Sequence, residues 1–423
     1  MAHINRYLET WLEEFLPHLP AVMIDGAKGV GKTQTAKRFA KTVKRLDDQS
    51  EQVALAANFN RIMTEEPPIL LDEWQFLPEV WNRVRQMIDD HTLPGSVILT
   101  GSIQSKSPML HSGAGRIVRI RMRPLSLAER VQAKNSFSLE DCLEGNISEI
   151  IDAVSPLGYE DYVREILRSG FPEINQMRSK QRELQLDSYL ENIIHREFAL
   201  QGVTVRHPGK LFSWMQAYAS ATATSTSYNK MLDATTAGES DKPAKETVIA
   251  YREALRSLWL IDDLPFWSDV GSPLGRLKET PKHYLADPAL EARLLQLSER
   301  DLITGTAKSP HDADYGGITG RLFESLCVMS ARTYAANLGA RVGYVRTSKG
   351  EREVDLVIQK NQKIVAIEVK LAQVITDHDV RHLNWFEEKV GERVQEKIIL
   401  TTGDRAYRRP QDRVLVIPAA LFA

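Results

Sequence analysis

The sequence predicts an α/β protein with a parallel sheet near the N-terminus, a helical middle and a second α/β segment at the C-terminus. Three observations predict this class. Short apolar strands alternate with helical patterns up to about Pro124, helical patterns prevail through the middle, and two apolar runs joined by a polar turn lie near the end. Strands that alternate with helices indicate a parallel sheet covered on both faces.

The N-terminal elements follow from local patterns. A leading amphipathic helix has apolar residues at helical spacing, and Pro17 should end it. Three short apolar strands follow, with the sequences AVMID, PPILLDE and SVILTGS. The first leads through a glycine-rich turn into the predicted helix GAKGVGKTQTAKRFAKTV. These elements make up a predicted core domain over residues 1–125.

The rest of the chain divides into four predicted segments. Helical patterns from LSLAERV to IIHREFAL predict a helical lid over residues 126–203. A helix, a loop, a second helix and a short strand, ending in TVIAYREALRSLWLIDDLPFW, predict a winged-helix-like domain over residues 204–270. A connecting segment over residues 271–319 then precedes a C-terminal α/β domain over residues 320–423.

Composition narrows the functional classes. The chain has 423 residues, of which 43% are hydrophobic and 26% are charged, as in an ordinary globular protein. Two cysteines are too few for a disulfide framework or a cysteine-rich zinc site. No apolar run reaches the roughly 18 residues of a membrane span, so we expect a cytoplasmic protein with no membrane partner. A net charge of −2 restricts any nucleic-acid contact to local patches.

The residues GAKGVGKT match the pattern GxxxxGK(S/T), between a predicted strand and a predicted helix. Glycines let such a loop curl so that backbone N–H groups face phosphate oxygens, and the following helix adds its positive dipole end. Lys32 would neutralise the β- and γ-phosphates, and the Thr33 hydroxyl would bind Mg²⁺. A plain glycine-rich turn is the alternative. The predicted ATP-binding residues are Gly26, Ala27, Lys28, Gly29, Val30, Gly31, Lys32, Thr33, Gln34, Asp72 and Ser102.

Polar residues at two further strand ends support hydrolysis of ATP. In ILLDE, Asp72 would hold Mg²⁺ through water and Glu73 would polarise the attacking water. Ser102 could sense the γ-phosphate, and Arg116 could complete charge neutralisation in cis or from a second subunit. The alternatives are solvated acids at a strand end, a turn-capping Ser102 and an Arg116 on the surface. Lys32, Glu73 and Arg116 are the predicted catalytic residues, with ATP and Mg²⁺ bound.

A second candidate site lies in EVDLVIQKNQKIVAIEVK, a predicted β-hairpin. Alternation places Glu368 and Lys370 on one face at a strand end, and Asp355 lies in the preceding strand. An Asp between apolar residues is costly to bury alone, so we expect it to have a partner. The two carboxylates could hold a Mg²⁺ ion that polarises a phosphodiester. Lys370, a further predicted catalytic residue, would orient the attacking water or stabilise the developing charge. The alternative is an Asp–Lys salt bridge without catalysis.

Six motifs occur along the chain, in the order GAKGVGKT, ILLDEWQ, VILTGS, GAGRI with RPLSLAE, ADPAL and GRLFESL…EREVDLVI…IEVK. By the order of these motifs the chain resembles a large group of prokaryotic AAA+ ATPases, of the archaeal-ATPase and STAND-like branch. The resemblance implies a P-loop AAA+ core, a helical lid, a winged helix and a C-terminal domain of unknown function similar to the PD-(D/E)XK restriction-endonuclease fold. It further implies that Glu324 joins Asp355 and Glu368 as a metal ligand. Val354 stands where the motif name has proline.

Two functions fit these features. The first is an ATP-driven protein that binds and remodels duplex or branched DNA, with possible Mg²⁺-dependent cleavage. The segment from Arg321 onward, with seventeen basic and thirteen acidic residues, favours it weakly. The second is a nucleotide-operated switch or scaffold that binds DNA or a protein through an inactive nuclease-like domain. A homo-oligomer is compatible with both functions.

Overall fold

The computed structural model describes residues 3–90, 93–103, 115–133, 137–148, 151, 153–234, 244–268, 280–305, 317–347 and 350–423. The chain forms two compact units, Met1–Pro124 with Leu255–Leu260 and Leu125–Ala254 with Ile261–Ala423. No helix among the described residues is both long and apolar enough to cross a bilayer. The five predicted domains stay predictions. Parts of the predicted winged-helix domain and connecting segment lie outside the described residues.

The first unit contains the predicted leading helix and three predicted strands, together with two strands that the sequence patterns did not indicate. Its elements are α1 (Tyr7–Phe15), β1 (Ala21–Asp25), α2 (Lys32–Phe39), β2 (Thr42–Arg45), α3 (Gln49–Ala57), β3 (Ile69–Asp72), α4 (Glu79–Asp89), β4 (Val97–Gly101) and β5 (Ile117–Arg121). The additional strands, β2 and β5, are the edges of the sheet. Edge strands are half exposed and carry charged residues, so they lack the apolar run of a buried strand.

The five strands of this unit form one parallel sheet in the order β2-β3-β4-β1-β5. One of its faces packs into an apolar cluster that includes Met23, Leu71, Leu99 and Trp81. Because the strands are parallel, their carboxyl ends lie along the same edge of the sheet, where ligands bind in open α/β folds. That edge therefore carries the residues that directly follow β1, β3 and β4.

The second unit begins with the predicted helical region. Its helices before the last sheet are α5 (Leu127–Val131), α6 (Leu139–Glu144), α7 (Tyr159–Arg168), α8 (Pro172–Asn175), α9 (Ser179–Asn192), α10 (Phe198–Leu200), α11 (Pro208–Ser220), α12 (Tyr228–Ala234), α13 (Lys245–Ser257, whose last turn belongs to the first unit), α14 (Pro288–Leu294), α15 (Glu299–Thr304) and α16 (Gly317–Asn337). A single π-helical turn at Ile193–Glu197 joins α9 to α10. Helices prevail among the described residues of the range 126–203, together with the short strand β6 (Ala153–Val154), and the assignment of this range as a lid stays a prediction.

The predicted winged-helix region contains helices α11, α12 and α13. Within its described residues, strand pairing consists of isolated bridges, among them Ile261 with Leu285 and Leu264 with Lys282. The winged-helix assignment therefore stays a prediction. The predicted connecting segment contributes α14 and the buried residues around Lys282 to the second unit.

The C-terminal part of the second unit is built on a mixed seven-stranded sheet in the order β6-β11-β12-β10-β9-β8-β7. Its elements are β6 (Ala153–Val154), β7 (Arg341–Arg346), β8 (Glu353–Lys360), β9 (Lys363–Lys370), α17 (Asp377–Val390), β10 (Val394–Thr401), β11 (Arg405–Arg408) and β12 (Leu415–Pro418). Strands β8 and β9 pair antiparallel as the predicted hairpin, from Leu356 opposite Ile367 to Lys360 opposite Lys363. Helix α17 packs on this sheet over an apolar cluster that includes Ile364 and Phe386.

A buried carboxyl group in α14 makes the stability of the second unit depend on pH. Glu291 is fully buried, and its Oε1 accepts hydrogen bonds from Thr222 Oγ1 at 2.7 Å and from the Leu285 backbone N–H at 2.8 Å. Burial raises the pKa of Glu291 to about 7 from 4.5. A raised pKa favours the folded state while the group is protonated in both states, and this stabilisation is lost as the pH rises from about 4.5 through about 7.

We expect Glu291→Gln to remove this pH dependence, because glutamine keeps an acceptor oxygen and never ionises. Between pH 5 and pH 8 the wild type should lose about 2–3 kcal/mol of unfolding free energy more than the variant. Urea denaturation of both proteins at the two pH values measures the difference, with the exposed Glu173→Gln as the control. An equal change in the wild type and in Glu291→Gln would contradict the assignment.

Candidate functional site

The glycine-rich loop between β1 and α2 has the backbone geometry of a phosphate-binding loop. At Gly26 a Cβ atom would lie 2.2 Å from the Met122 carbonyl oxygen, so no other residue fits without movement. Gly31 precedes the first residue of α2 in the left-handed region, with φ of 101°. The two glycines therefore allow the loop to close tightly against the start of α2, where the helix N-terminus favours an anion.

Lys32 lies inside the loop that it is predicted to serve. Its Nζ donates hydrogen bonds of 2.9 Å to the backbone carbonyls of Gly26 and Ala27. The side chain is buried, and burial lowers the pKa of Lys32 to about 8, although the carboxylates of Glu73 and Asp25 act in the opposite direction. The ammonium group is thus held at the centre of the loop, against backbone oxygens that a phosphate group can replace.

The predicted magnesium ligands are neighbours. Thr33 Oγ1 donates a hydrogen bond of 2.7 Å to Asp72 Oδ1, and Thr100 Oγ1 donates one of 2.5 Å to the same oxygen. Asp72 is buried at the end of β3. A threonine hydroxyl beside a carboxylate at the mouth of a phosphate-binding loop is a suitable donor set for the Mg²⁺ ion of a bound nucleotide. These two residues therefore fit the ion.

Glu73 is held in a defined position. Its backbone lies in the left-handed region at φ of 56°, which is uncommon outside glycine and frequent at functional sites. The Ser102 hydroxyl lies 2.6 Å from both carboxylate oxygens, and the Gln75 side-chain amide donates to the same carboxylate. The backbone N–H of Glu73 donates to Thr100 Oγ1 at 3.2 Å. The structure thus brings Ser102 and Glu73 together across β3 and β4.

Arg116, the third predicted catalytic residue of this unit, contacts a carboxylate outside the glycine-rich loop. Its Nε donates to Asp89 Oδ1 at 2.5 Å, at the end of α4. Its role in charge neutralisation stays a prediction.

Thr100 was not among the predicted residues, although it contacts both Asp72 and Glu73. A threonine inside the apolar strand VILTG was the signal for it, because a polar side chain in a buried strand needs a partner.

In the second unit two of the predicted metal ligands, Glu324 and Asp355, contact a lysine that the sequence analysis did not identify. Lys282 is almost fully buried, with 1% of the residue exposed. Its Nζ lies 2.9 Å from Glu324 Oε1, 2.9 Å from Asp355 Oδ1 and 2.6 Å from Glu353 Oε1. We call these four residues the Lys282 cluster. Asp355 therefore has the buried partner that its position predicted.

Several polar groups around the Lys282 cluster are also paired. Tyr284 donates to Glu324 at 2.6 Å, and the Val369 backbone N–H donates to Asp355 Oδ2 at 3.0 Å. Lys370 Nζ donates to Glu368 Oε1 at 2.7 Å. The predicted metal ligand Glu368 and the predicted catalytic residue Lys370, both near the end of β9, thus form an ion pair with each other.

The electrostatics follow from burial and from these pairs. Burial would lower the pKa of Lys282, but Asp355 and Glu324 outweigh it and raise that pKa above its usual range. Burial tends to raise the pKa of Asp355, and Lys282 and Lys370 reverse this and lower it. Burial and the negative charge of Asp355 raise the pKa values of Glu324 and Glu368. Asp355 and Lys282 are therefore the charged centre of the cluster.

One faint signal in the sequence pointed to this arrangement. Lys282 and Tyr284 are two residues apart next to the apolar residues Leu285 and Ala286, so in an extended segment they share a face. Both reach Glu324. Nothing local, however, relates this segment to a helix and a hairpin much further along the chain.

A match to a family model supports the interpretation of the first unit. Residues 18–131 match a family described as an AAA domain. Residues 159–301 and 319–422 match two domains of unknown function, DUF8612 and DUF4143. No curated protein matches the chain. Among solved structures, a Walker-type ATPase of Pyrococcus abyssi aligns with 69% of this chain and 96% of its own, at 16% identity and a TM-score of 0.40.

The AAA domain match covers the glycine-rich loop, the strand that ends in Asp72 and the strand that precedes Ser102. The hydrogen bonds from Lys32 to the Gly26 carbonyl and from Thr33 to Asp72 bring these side chains together at the glycine-rich loop, which agrees with this match, and their roles in binding stay predictions. The chain is therefore a P-loop ATPase, with its ATPase domain over residues 18–131 and a domain of unknown function over residues 319–422.

Proposed function

We propose that the chain is an ATP-operated switch, in which the nucleotide state of the first unit sets whether the second unit binds its partner. The hydrogen bonds between Ser102 and Glu73 carry this proposal. They join the predicted phosphate sensor to the predicted base, so the position of the base depends on what Ser102 contacts. In such a site the position of Glu73 changes when the γ-phosphate is bound, before ATP is hydrolysed.

The residues of the loop supply the binding and the chemistry. Lys32 exchanges the carbonyls of Gly26 and Ala27 for β- and γ-phosphate oxygens, while Thr33 and Asp72 hold the metal ion. Thr33 and Asp72 would hold a Mg²⁺ ion, which would supply positive charge against the negative charge that develops in the transition state. Ser102 turns its hydroxyl to the γ-phosphate and releases Glu73, which then accepts a proton from the attacking water.

Action on DNA is the finer alternative, and the resemblance to AAA+ proteins with a nuclease-like end supports it. The basic run RAYRRPQDR near the C-terminus supports it less than its charge suggests. Arg408 donates to both oxygens of Glu396 at 3.0 and 2.9 Å, and Arg409 pairs with Asp412 at 3.2 Å. Arginines that are committed to carboxylates attract phosphates weakly. We therefore favour the switch over a DNA-driven motor.

The steady-state ATPase rate tests this choice. We expect a Mg²⁺-dependent rate that changes less than about twofold with single-stranded, duplex or four-way-junction DNA. Lys32→Ala should lower the ATPase rate about 100-fold or more, because the positive charge that Lys32 places beside the phosphates is lost. Lys37→Ala, an exposed lysine of the same helix, is the matched control. Strong stimulation by one DNA form, lost in Lys32→Ala, would overturn the switch and establish a DNA-coupled ATPase.

A further inference from the structure

The Lys282 cluster places a positive charge where the nuclease resemblance requires a divalent metal ion. Of the three predicted ligands, Glu324 and Asp355 each lie 2.9 Å from Lys282 Nζ. The third, Glu368, is bonded to Lys370 at 2.7 Å. Every carboxylate of the predicted metal site thus has a lysine partner within the chain.

The coordination of the ammonium group is complete. A lysine ammonium has three N–H donors. Lys282 Nζ has three carboxylate oxygens within 2.6–2.9 Å, from Glu324, Glu353 and Asp355. Buried charges are stable when they are paired and hydrogen-bonded in this way. The ammonium group therefore satisfies oxygens that a metal ion would otherwise have to contact.

The backbone holds Lys282 in this position. Its N–H donates to the Leu264 carbonyl at 3.0 Å, and the Leu264 N–H donates to the Lys282 carbonyl at 2.9 Å. The ammonium group also lies 5.6 Å from the centre of the Tyr344 ring. An ion that enters the site must displace a buried side chain on a paired segment.

The described residues of the second unit offer no other arrangement for a divalent metal ion. They contain no group of three or more His, Cys, Asp or Glu side chains placed to hold a metal. Glu368 Oε2 is buried without a hydrogen-bond partner among them. A single carboxylate oxygen, on a side chain whose other oxygen is bonded to Lys370, does not make a divalent site, since hard cations need several oxygen ligands. The residues present therefore do not fit Mg²⁺.

We propose that Lys282 is the resident cation of this site, so that the second unit neither binds a divalent metal ion at Glu324, Asp355 and Glu368 nor cleaves a phosphodiester with them. The proposal concerns the second unit alone. It stands or fails separately from the ATP-operated switch of the first unit.

Binding of Mn²⁺ to the full chain without nucleotide tests the proposal, by calorimetry and by the electron paramagnetic resonance signal of the free ion. Asp355→Asn identifies any binding in the second unit, and Thr33→Ala identifies any at the ATP site. In the wild type we expect no Mn²⁺ binding that Asp355→Asn removes, and no Asp355-dependent cleavage of plasmid or oligonucleotide DNA with Mg²⁺ or Mn²⁺. Either activity in the wild type would overturn the proposal.

The variant Lys282→Ala tests the same idea by a gain of function. Removing the ammonium group should create a Mn²⁺ site that raises the melting temperature of the variant on addition of the ion, and a second substitution, Asp355→Asn, should abolish this effect. Lys389→Ala, an exposed lysine of α17, should gain no such site. A folded Lys282→Ala that gains no Mn²⁺ binding would overturn the role of the lysine. If the variant does not fold, the wild-type measurements decide alone.

Discussion

Replacing Glu73 with glutamine is expected to lower kcat for ATP hydrolysis by about 100- to 1,000-fold, as the loss of a general base does. ATP affinity should change only a few-fold, because the phosphates are bound by the loop and by Lys32 rather than by this carboxylate. Glutamine has the size of glutamate and no stronger backbone preference, so the left-handed conformation at φ of 56° carries the same strain in both proteins. Phosphate release gives kcat, and titration with a fluorescent ATP analogue gives the affinity.

The exposed Glu79→Gln, in the first turn of α4, removes the same charge from the same unit without touching the site. Its kcat should equal that of the wild type. A Glu73→Gln protein that hydrolyses ATP at the wild-type rate would assign the base to another residue. A protein that has lost ATP binding together with activity would instead give Glu73 a structural role.

Replacing Lys282 with methionine is expected to destabilise the second unit by about 3–5 kcal/mol, the usual effect of leaving buried charges without their partner. Methionine keeps most of the volume of the lysine stem, so the lost free energy reports the ammonium group rather than a cavity. Three carboxylates would then face one another around an apolar tip. Urea denaturation near neutral pH measures the change.

Combining Lys282→Met with Asp355→Asn should recover part of this loss, because the substituted amide removes one of the unpaired charges. The double-mutant cycle isolates the coupling between the two side chains. Lys389→Met, exposed on α17, controls for the substitution itself and should be nearly neutral. A Lys282→Met protein as stable as the wild type would show that the ammonium group is not the partner of the buried acids.

The arrangement of the residues in the candidate nucleotide site was predictable because they are contiguous or follow from a simple rule, while their roles stay predictions. Gly26 to Thr33 are contiguous, and their glycines and lysine imply a loop geometry with little help from the rest of the chain. Asp72 and Ser102 are distant in sequence, but each follows an apolar strand. Parallel strands place their carboxyl ends together, so their meeting could be expected. The direct bond from Ser102 to Glu73, and the role of Thr100, needed side-chain positions.

The C-terminal site shows the opposite case. The hairpin that carries Asp355 and Glu368 was predictable from alternation, and Glu324 was named from the family resemblance, yet the charge partner of Asp355 and Glu324 was not predicted. Lys282 contacts Glu324 and Asp355, which lie 42 and 73 positions later in the sequence. It lies in the segment over residues 271–319 that was predicted to be a connecting segment. No periodicity relates such residues, because their contact depends on how the segment around Leu264 pairs with residue 282.

The sequence by itself determined an ATPase domain with a parallel sheet, a helical middle and a strand hairpin with acids on it. Local backbone preferences and the spacing of apolar residues were sufficient for these features. Only the tertiary structure decided what the acids of the hairpin bind. The free energy of a buried carboxylate depends on the nearest opposite charge, and here that charge, Lys282, is brought to the site by chain folding over long distances in sequence.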